Sequence, residues 1–197
     1  MAIAPLRPRG PSRERLCRTA LRLFAERGYD GVSNRQIVEA CGLTRGAIYW
    51  YFEGKEDLFA TVVGEALQRF EARVRGALGG PGSWDERLGA AMRLLVDTLE
   101  NEDDPDRDVL LLLVRRSSRG PGVDRLIGGV QTGLMEWVEA IVTEHLGGSD
   151  GREVASLVHA AGLGVLVQAG AGRSVARPVL SALYRLLTGG ELYGAGR

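Results

Sequence analysis

The stretch Cys41-Gly42-Leu43-Thr44-Arg45-Gly46-Ala47-Ile48-Tyr49-Trp50-Tyr51-Phe52 decides how this chain is read. It spells a tight turn followed by a short helix. Gly42 supplies the positive φ with which a preceding helix closes. Thr44 is placed to cap the next helix, its hydroxyl accepting from a free backbone N–H. Ile48 and Phe52 stand four apart and share one face of that helix, the face to bury. Thr44, Arg45, Tyr49 and Trp50 then point outward. A helix with no partner gains nothing from showing a phenol and an indole to water beside a guanidinium. A helix laid in a DNA groove uses all of them.

Upstream of this stretch, Ser33 followed by Gln36 is a capping box. It opens a helix buried through Ile37, Val38, Ala40 and Cys41. Only a few residues around Gly42 separate the two helices, which is the helix-turn-helix arrangement over about 33–52. The second helix of such a pair enters the major groove. Further back, Leu16, Ala20, Leu23 and Phe24 recur at i, i+4, i+7 and i+8, predicting a helix from Ser12 to Arg27 that Gly28 ends. Residues 1–11 carry Pro5, Pro8 and Pro11 and read as a disordered basic arm. Downstream, Lys55-Glu56-Asp57 opens a fourth helix, its acids favoured by the helix dipole. Lys55 beside that N-terminus adds to an anion site, and phosphate is the anion expected there. Phe59, Val63, Ala66, Phe70 and Val74 carry the apolar stripe to about Leu78, far enough to join two domains as one rod.

The remainder repeats the helical theme. Gly79-Gly80-Pro81-Gly82 breaks the chain, and Ser83 with Glu86 caps a fifth helix carrying Trp84, Leu88, Met92, Leu95 and Leu99. An acidic loop leads to the apolar run Val109 to Val114, a short buried helix. After Pro121 a longer helix carries Leu126, Val130, Leu134, Trp137, Ile141 and His145. Asp150 with Glu153 caps the next. Val154 to Gly172 holds no charge, but Ser156, His159, Gln168 and four glycines argue for a buried helix rather than a membrane span. Pro178 opens the last helix and Gly189-Gly190 ends it. With no strand pattern and no repeat, the fold class is all-α.

Composition narrows the function. A chain of 197 residues, 45% hydrophobic, suffices for one large domain or for a small one fused to a larger one. Its formal net charge is zero, yet residues 1–50 hold nine arginines against four acids. A basic end on an acidic body suits a polyanion that touches one end. Cys17 and Cys41 form no CxxC and sit in apolar helical contexts, so they read as buried small residues in a reduced, cytoplasmic protein. There is no metal-ligand cluster, and no cofactor is implied. His145 and His159 are the only histidines, and no Ser/His/Asp, Cys/His or paired-carboxylate arrangement supports an enzyme. The first residues lack the cationic start and apolar run of a signal peptide.

Residues 12–60 resemble the TetR/AcrR family of transcriptional regulators. The matching residues are Ala20-Leu21-Arg22-Leu23-Phe24-Ala25-Glu26-Arg27-Gly28-Tyr29-Asp30, Ile37, the run Gly42 to Phe52, and Lys55-Glu56-Asp57-Leu58-Phe59. Thr44-Arg45-Gly46-Ala47-Ile48-Tyr49-Trp50 looks most like the multidrug-efflux-repressor branch. Tyr51 stands where that branch commonly has His, Glu53 where a basic or polar residue is common, and Cys41 where alanine is usual. The resemblance implies a three-helix DNA-binding domain over 12–71 and a larger antiparallel helical ligand-binding and dimerisation domain over 72–197. It implies DNA contacts from Ser33, Arg35, Thr44, Arg45, Gly46, Tyr49, Trp50 and Lys55. Arg45 is placed for a guanine edge; Thr44 and Tyr49 suit phosphates.

An apolar ligand pocket is implied among Phe70, Met92, Leu95, Leu113, Leu134, Trp137 and Gln168. A homodimer is implied through the last two long helices, with Leu157, Ala161, Gly162, Gly164, Leu180, Leu183, Tyr184 and Leu187 as interface candidates. The expected function is a repressor released from a near-palindromic double-stranded operator by a small, mainly apolar ligand, with no membrane partner. The alternative is a helix-turn-helix adaptor that works through protein partners without a ligand.

Overall fold

The computed structural model describes residues 10–44, 46–114, 121–146 and 148–192. Most of the expected basic arm lies outside the described residues. The described residues form nine helices in the order α1 (Pro11–Arg27), α2 (Asn34–Ala40), α3 (Ala47–Tyr51), α4 (Lys55–Leu78), α5 (Trp84–Glu100), α6 (Arg107–Val114), α7 (Pro121–Leu146), α8 (Gly148–Gly170) and α9 (Ala176–Thr188). Among them there is no strand.

Local chemistry sets most of these boundaries. Pro11 starts α1, where its missing N–H has no partner to lose. Ser33 and Ser83 each close the reciprocal box with the residue three on, fixing α2 and α5. Gly189, at φ 71°, ends α9 in the left-handed conformation. Three boundaries differ from the sequence reading. Helix α3 starts at Ala47 with Gly46 as its N-cap, and no side chain caps it. The Thr44 carbonyl, not its hydroxyl, accepts from the Ala47 N–H at 2.9 Å, because the turn reaches helical geometry only at Gly46. Helix α8 begins at Gly148, ahead of the expected Asp150 cap. Helix α9 begins at Ala176, so Pro178 falls in the first turn, where backbone N–H groups are unpaired in any case.

One apolar core runs from Leu16 to Leu192. In the N-terminal part Phe24, Phe59 and Tyr29 close on one another, with ring centroids 5.0 Å apart for Phe24–Phe59 and 5.1 Å for Tyr29–Phe59, both edge to face. Helix α1 packs on both α4 and α6, so the helix-turn-helix is seated on the larger bundle as well as hung from α4. A polar cluster reinforces that joint. Arg73 Nη1 donates to Asp106 Oδ2 at 2.7 Å and Arg73 Nη2 to Asp104 Oδ2 at 3.0 Å, while Arg69 Nη2 reaches Asp106 Oδ1 at 3.3 Å. At the far end Tyr184 Oη donates to the Asp85 carbonyl at 2.9 Å, fastening α9 to α5.

The uncharged helix departs from its reading as a buried one. Helix α8 packs on α6, α7 and α9, yet it buries only part of its surface. Ala155, Val165 and Leu166 face inward, whereas Leu157 and Val167 are exposed. It is long and apolar enough to cross a membrane by length and composition.

Candidate nucleic-acid interface and effector cavity

The turn between α2 and α3 is closed by backbone. Leu43 N–H donates to the Val38 carbonyl at 2.9 Å and Gly42 N–H to the Glu39 carbonyl at 3.1 Å. This is the paired bonding of a helix stop with a left-handed residue, here Gly42 at φ 64°. It fixes the angle at which α3 leaves. Ile48 and Phe52 anchor α3 in the core, at 0% and 2% exposure. The opposite face is left open, with Tyr49 64% and Trp50 73% exposed. Thr44 and Gly46 are exposed beside them. Arg45 lies outside the described residues.

On α2, Ser33 is engaged by Gln36, and Arg35 pairs with Glu39 at 2.6 Å in the open. Such an exposed pair is worth about 0–1 kcal/mol and yields readily to a stronger anion. Sequence reasoning missed Asn34. Its Nδ2 donates to Tyr49 Oη at 3.4 Å and ties the start of α2 to the reading face. An Asn inside a capping box carries no signal of a contact fifteen residues away.

Lys55, expected as a phosphate contact, has partners within the chain. Its ammonium donates to the Tyr29 carbonyl at 3.0 Å and to the Val32 carbonyl at 2.9 Å, and stands 4.1 Å from the centroid of the Tyr29 ring. Those carbonyls belong to the turn after α1, where they lack helical partners. Lys55 therefore holds the α1–α2 turn to α4. Burial pushes the Cys17 thiol up to about 11, so it is protonated at neutral pH and a weak nucleophile. Cys41 is buried, its Sγ 3.8 Å from the Arg15 carbonyl.

An apolar cavity of about 170 Å³ lies between α4, α5, α7, α8 and α9, with Leu110 of α6 on one wall. Of the residues expected around a pocket, Phe70, Met92, Leu95 and Trp137 line it. Leu113 is buried but lines no part of it, because α6 turns Leu110 to the cavity instead. Gln168 is also absent from the walls; its Oε1 accepts from Arg173 at 2.9 Å in the turn after α8. The Leu134 side chain lies outside the described residues. Leu180 and Leu183, read as interface residues, line the cavity.

The exposed large apolar side chains of the described residues fall into two groups. Tyr49 and Trp50 form one, and Leu157, Val167, Val179 and Leu186 on α8 and α9 form the other. The second group corrects the interface reading of α9. Leu180, Leu183 and Tyr184 are buried within the chain, because the broad apolar face of this helix packs on α5 and α8. Val179 and Leu186 are left outward. On α8, Leu157 and Gly164 are exposed, while Ala161 and Gly162, like Leu187 on α9, are half-buried.

Comparison with known proteins agrees with this geometry. Residues 16–62 match the family of bacterial regulatory proteins, tetR family. The chain is 32% identical over 127 residues to the HTH-type transcriptional repressor AcnR of Corynebacterium efficiens, covering 55% of this chain and 68% of that protein. It is 32% identical over 108 residues to the HTH-type transcriptional regulator AcrR of Shigella flexneri, 51% of this chain but only 46% of that one. Among solved structures, the fatty acid degradation regulator FadR of Bacillus halodurans superposes with a TM-score of 0.73 at 20% identity, over 93% of this chain and 97% of that one. AibR, solved with isovaleryl coenzyme A and operator DNA, gives 0.66 at 19% identity over 89% and 97%. With a buried-anchor helix-turn-helix on a helical bundle and a relative such as AcnR matched along two thirds of its length, the chain belongs to the TetR family of transcriptional regulators.

Proposed function

We propose that this chain is a homodimeric repressor that a small ligand releases from a near-palindromic operator. The carrying observation is the pair Tyr49 and Trp50, held in the open by the buried Ile48 and Phe52. A fold that buries its other N-terminal aromatic rings wholly or in part exposes these two on the helix that helix-turn-helix proteins insert in the major groove. Arg45 then reads a base edge, and Thr44, Gly46, Tyr49, Ser33 and Arg35 fix register on phosphates. Arg35 exchanges Glu39 for phosphate as it docks. The exposed face of α8 and α9 takes a second copy, which sets two α3 helices about one helical turn of DNA (~34–36 Å) apart.

The cavity supplies the switch. AibR was solved with both a ligand and its operator, and the present chain has an apolar cavity among its C-terminal helices and α4. A ligand that favours a form with the reading helices wrongly spaced releases DNA by that difference in affinity alone. Helix α4 is the lever, since it lines the cavity with Phe70 and Val74 and starts at the α1–α2 turn. The Arg69, Arg73, Asp104 and Asp106 cluster ties its middle to α6. The adaptor alternative offers no use for such a cavity. In this reading residues 12–71 serve the DNA and 72–197, joined by Phe70, surround the ligand, and the site of action is the cytoplasm.

The test is selection from a random duplex library at one stated salt concentration, comparing the native chain with Arg45→Ala. A palindromic site whose discrimination falls by about 1–3 kcal/mol at one position in the variant is expected. No enriched site, with both proteins alike, removes sequence reading by α3 and favours the adaptor.

A further inference from the structure

We infer that the effector is an amphipathic monoanion, an apolar body of roughly six to nine carbon atoms that carries a carboxylate, judged against the benzene that a cavity of about 150 Å³ accepts. This rests on the ligand-released reading and names the chemistry of the same site.

The cavity of about 170 Å³ does not end in apolar wall. Leu78, Trp84 and Ile141 also line a neighbouring open cleft of about 360 Å³. The other walls of that cleft among the described residues are Gly79, Arg75, Arg87 and His145, and none of these is a carboxylate. The two spaces therefore meet around Trp84, one hydrocarbon and one cationic. His145 stacks on Trp84 with ring centroids 4.2 Å apart.

Arg87 carries the argument furthest. One of its Nη1 hydrogens goes to the Leu78 carbonyl at 3.3 Å, closing the end of α4. Its Nε is buried and has no hydrogen-bond partner. A charged donor buried without an acceptor is unfavourable, and a carboxylate seated in the cleft supplies one. Arg75 stands across the cleft. It gives Nε and Nη2 to Glu71 Oε1 at 2.9 and 2.7 Å, an exposed pair that competes weakly. The carbonyl end of α4 contributes about half a negative charge at this place and Glu71 a full one beside Arg75, against two guanidinium charges, so the excess positive charge is that of Arg87.

The same residues select against other heads. A cationic ligand would need a free indole face. Arg75 already lies 5.0 Å from the centroid of Trp137 and Arg87 5.9 Å from that of Trp84, and both repel a second cation. A neutral alcohol fills the cavity and can accept from the Arg87 Nε, but it brings no charge to the guanidiniums, so its bond is the weaker one.

Binding to the full-length chain is measured by calorimetry and by quenching of Trp84 and Trp137 fluorescence, with octanoate, 1-octanol and octyltrimethylammonium. Octanoate binds at least tenfold tighter than octanol, and the ammonium binds more weakly than either. Arg87→Gln and Arg75→Gln each bring octanoate to within threefold of octanol and leave octanol binding unchanged; Arg75 is on the surface, so its variant folds. Equal binding of octanoate and octanol by the native chain, or a preference that survives both substitutions, overturns the inference. The same titrations on the chain bound to its selected duplex separate the two levels. Octanoate that binds with this preference but leaves DNA affinity unchanged removes the ligand-released reading and keeps the site. Release by octanol as readily as by octanoate keeps that reading and removes this inference.

Discussion

The Lys55 ammonium lies 4.1 Å from the centroid of the Tyr29 ring and donates to that residue's own carbonyl at 3.0 Å. A second donation reaches the Val32 carbonyl at 2.9 Å. Two charge-assisted bonds and a cation–π contact make this one group the clasp between the α1–α2 turn and the start of α4. Lys55→Met is expected to cost about 1–3 kcal/mol of stability, chiefly through the Val32 carbonyl, since the Tyr29 carbonyl keeps the Val32 N–H at 3.4 Å. It is expected to leave the slope of log affinity for DNA against log salt unchanged, because a group turned inward releases no counterion. Thermal unfolding and a salt titration of operator binding check both. A slope reduced by about one in Lys55→Met would return the residue to the phosphate backbone.

The clasp itself was not legible in the sequence. A lysine beside a helix N-terminus has the same local sequence whether it faces a phosphate or a carbonyl of a distant turn. By contrast, Gly42, the Ser33–Gln36 box and the Ile48–Phe52 spacing act within one or two helical turns. The helix-turn-helix was therefore legible apart from the start of α3, which falls at Ala47 with Gly46 and not Thr44 at its N-cap. The stripe of α9 was legible as a stripe, but two partners compete for an apolar helix face. Nothing in Leu180, Leu183 and Tyr184 says that α5 takes them and leaves Leu186 outward. The cavity was legible as apolar positions on several helices; which positions stay unfilled depends on how those helices cross.

Asp106 is 2% exposed and accepts from both Arg69 and Arg73, joining α6 to α4. The arginines are 51% and 37% exposed and can rehydrate when it is lost. Asp106→Ala is therefore expected to cost about 2 kcal/mol, the worth of hydrogen bonds to a charged group, rather than the 3–5 of a stranded buried charge. If α4 is the lever, the variant binds effector as before but releases DNA less completely, and parallel effector and DNA titrations read the two apart.

Asp104, in the same cluster, adds a pH dependence. Burial works against its carboxylate, but hydrogen bonds from Arg73 and from the Asp106 backbone N–H outweigh it and hold the carboxyl below its ordinary 3.8. A depressed folded pKa gives stability that is complete above the unfolded value and is lost as pH falls through the folded one. The native chain is thus expected to exceed Asp104→Asn in stability at pH 7, with the gap closing below about pH 4. Denaturant midpoints between pH 7 and 2.5 measure it; a gap that does not narrow in acid contradicts the assignment.

Leu186 is 79% exposed, and Leu157 and Val167 on α8 are 51% and 55% exposed. A charge placed among them costs the single chain little and a paired surface much. Leu186→Glu is expected to keep the helical content and thermal midpoint of the isolated subunit and to yield monomers in sedimentation. DNA binding then falls steeply, because one α3 engages one half-site. A dimer unaffected by both Leu186→Glu and Leu157→Glu would move the interface elsewhere.

Trp50 offers the cleanest separation of folding from function. At 73% exposure its indole is mostly open to water, so Trp50→Ala should change stability by no more than about 0.5 kcal/mol. Its loss from a groove removes contact area and an N–H donor, and specific DNA affinity should fall by about 1–3 kcal/mol. Tyr49→Phe removes only a hydroxyl, which Asn34 steadies through its Nδ2 at 3.4 Å. That change should weaken all duplexes alike, as loss of a phosphate contact does. Competition binding against operator and random duplex at fixed salt tells the two effects apart. A Trp50→Ala protein that unfolds early but binds DNA normally would make the indole a packing residue and would remove the observation on which the DNA-binding face rests.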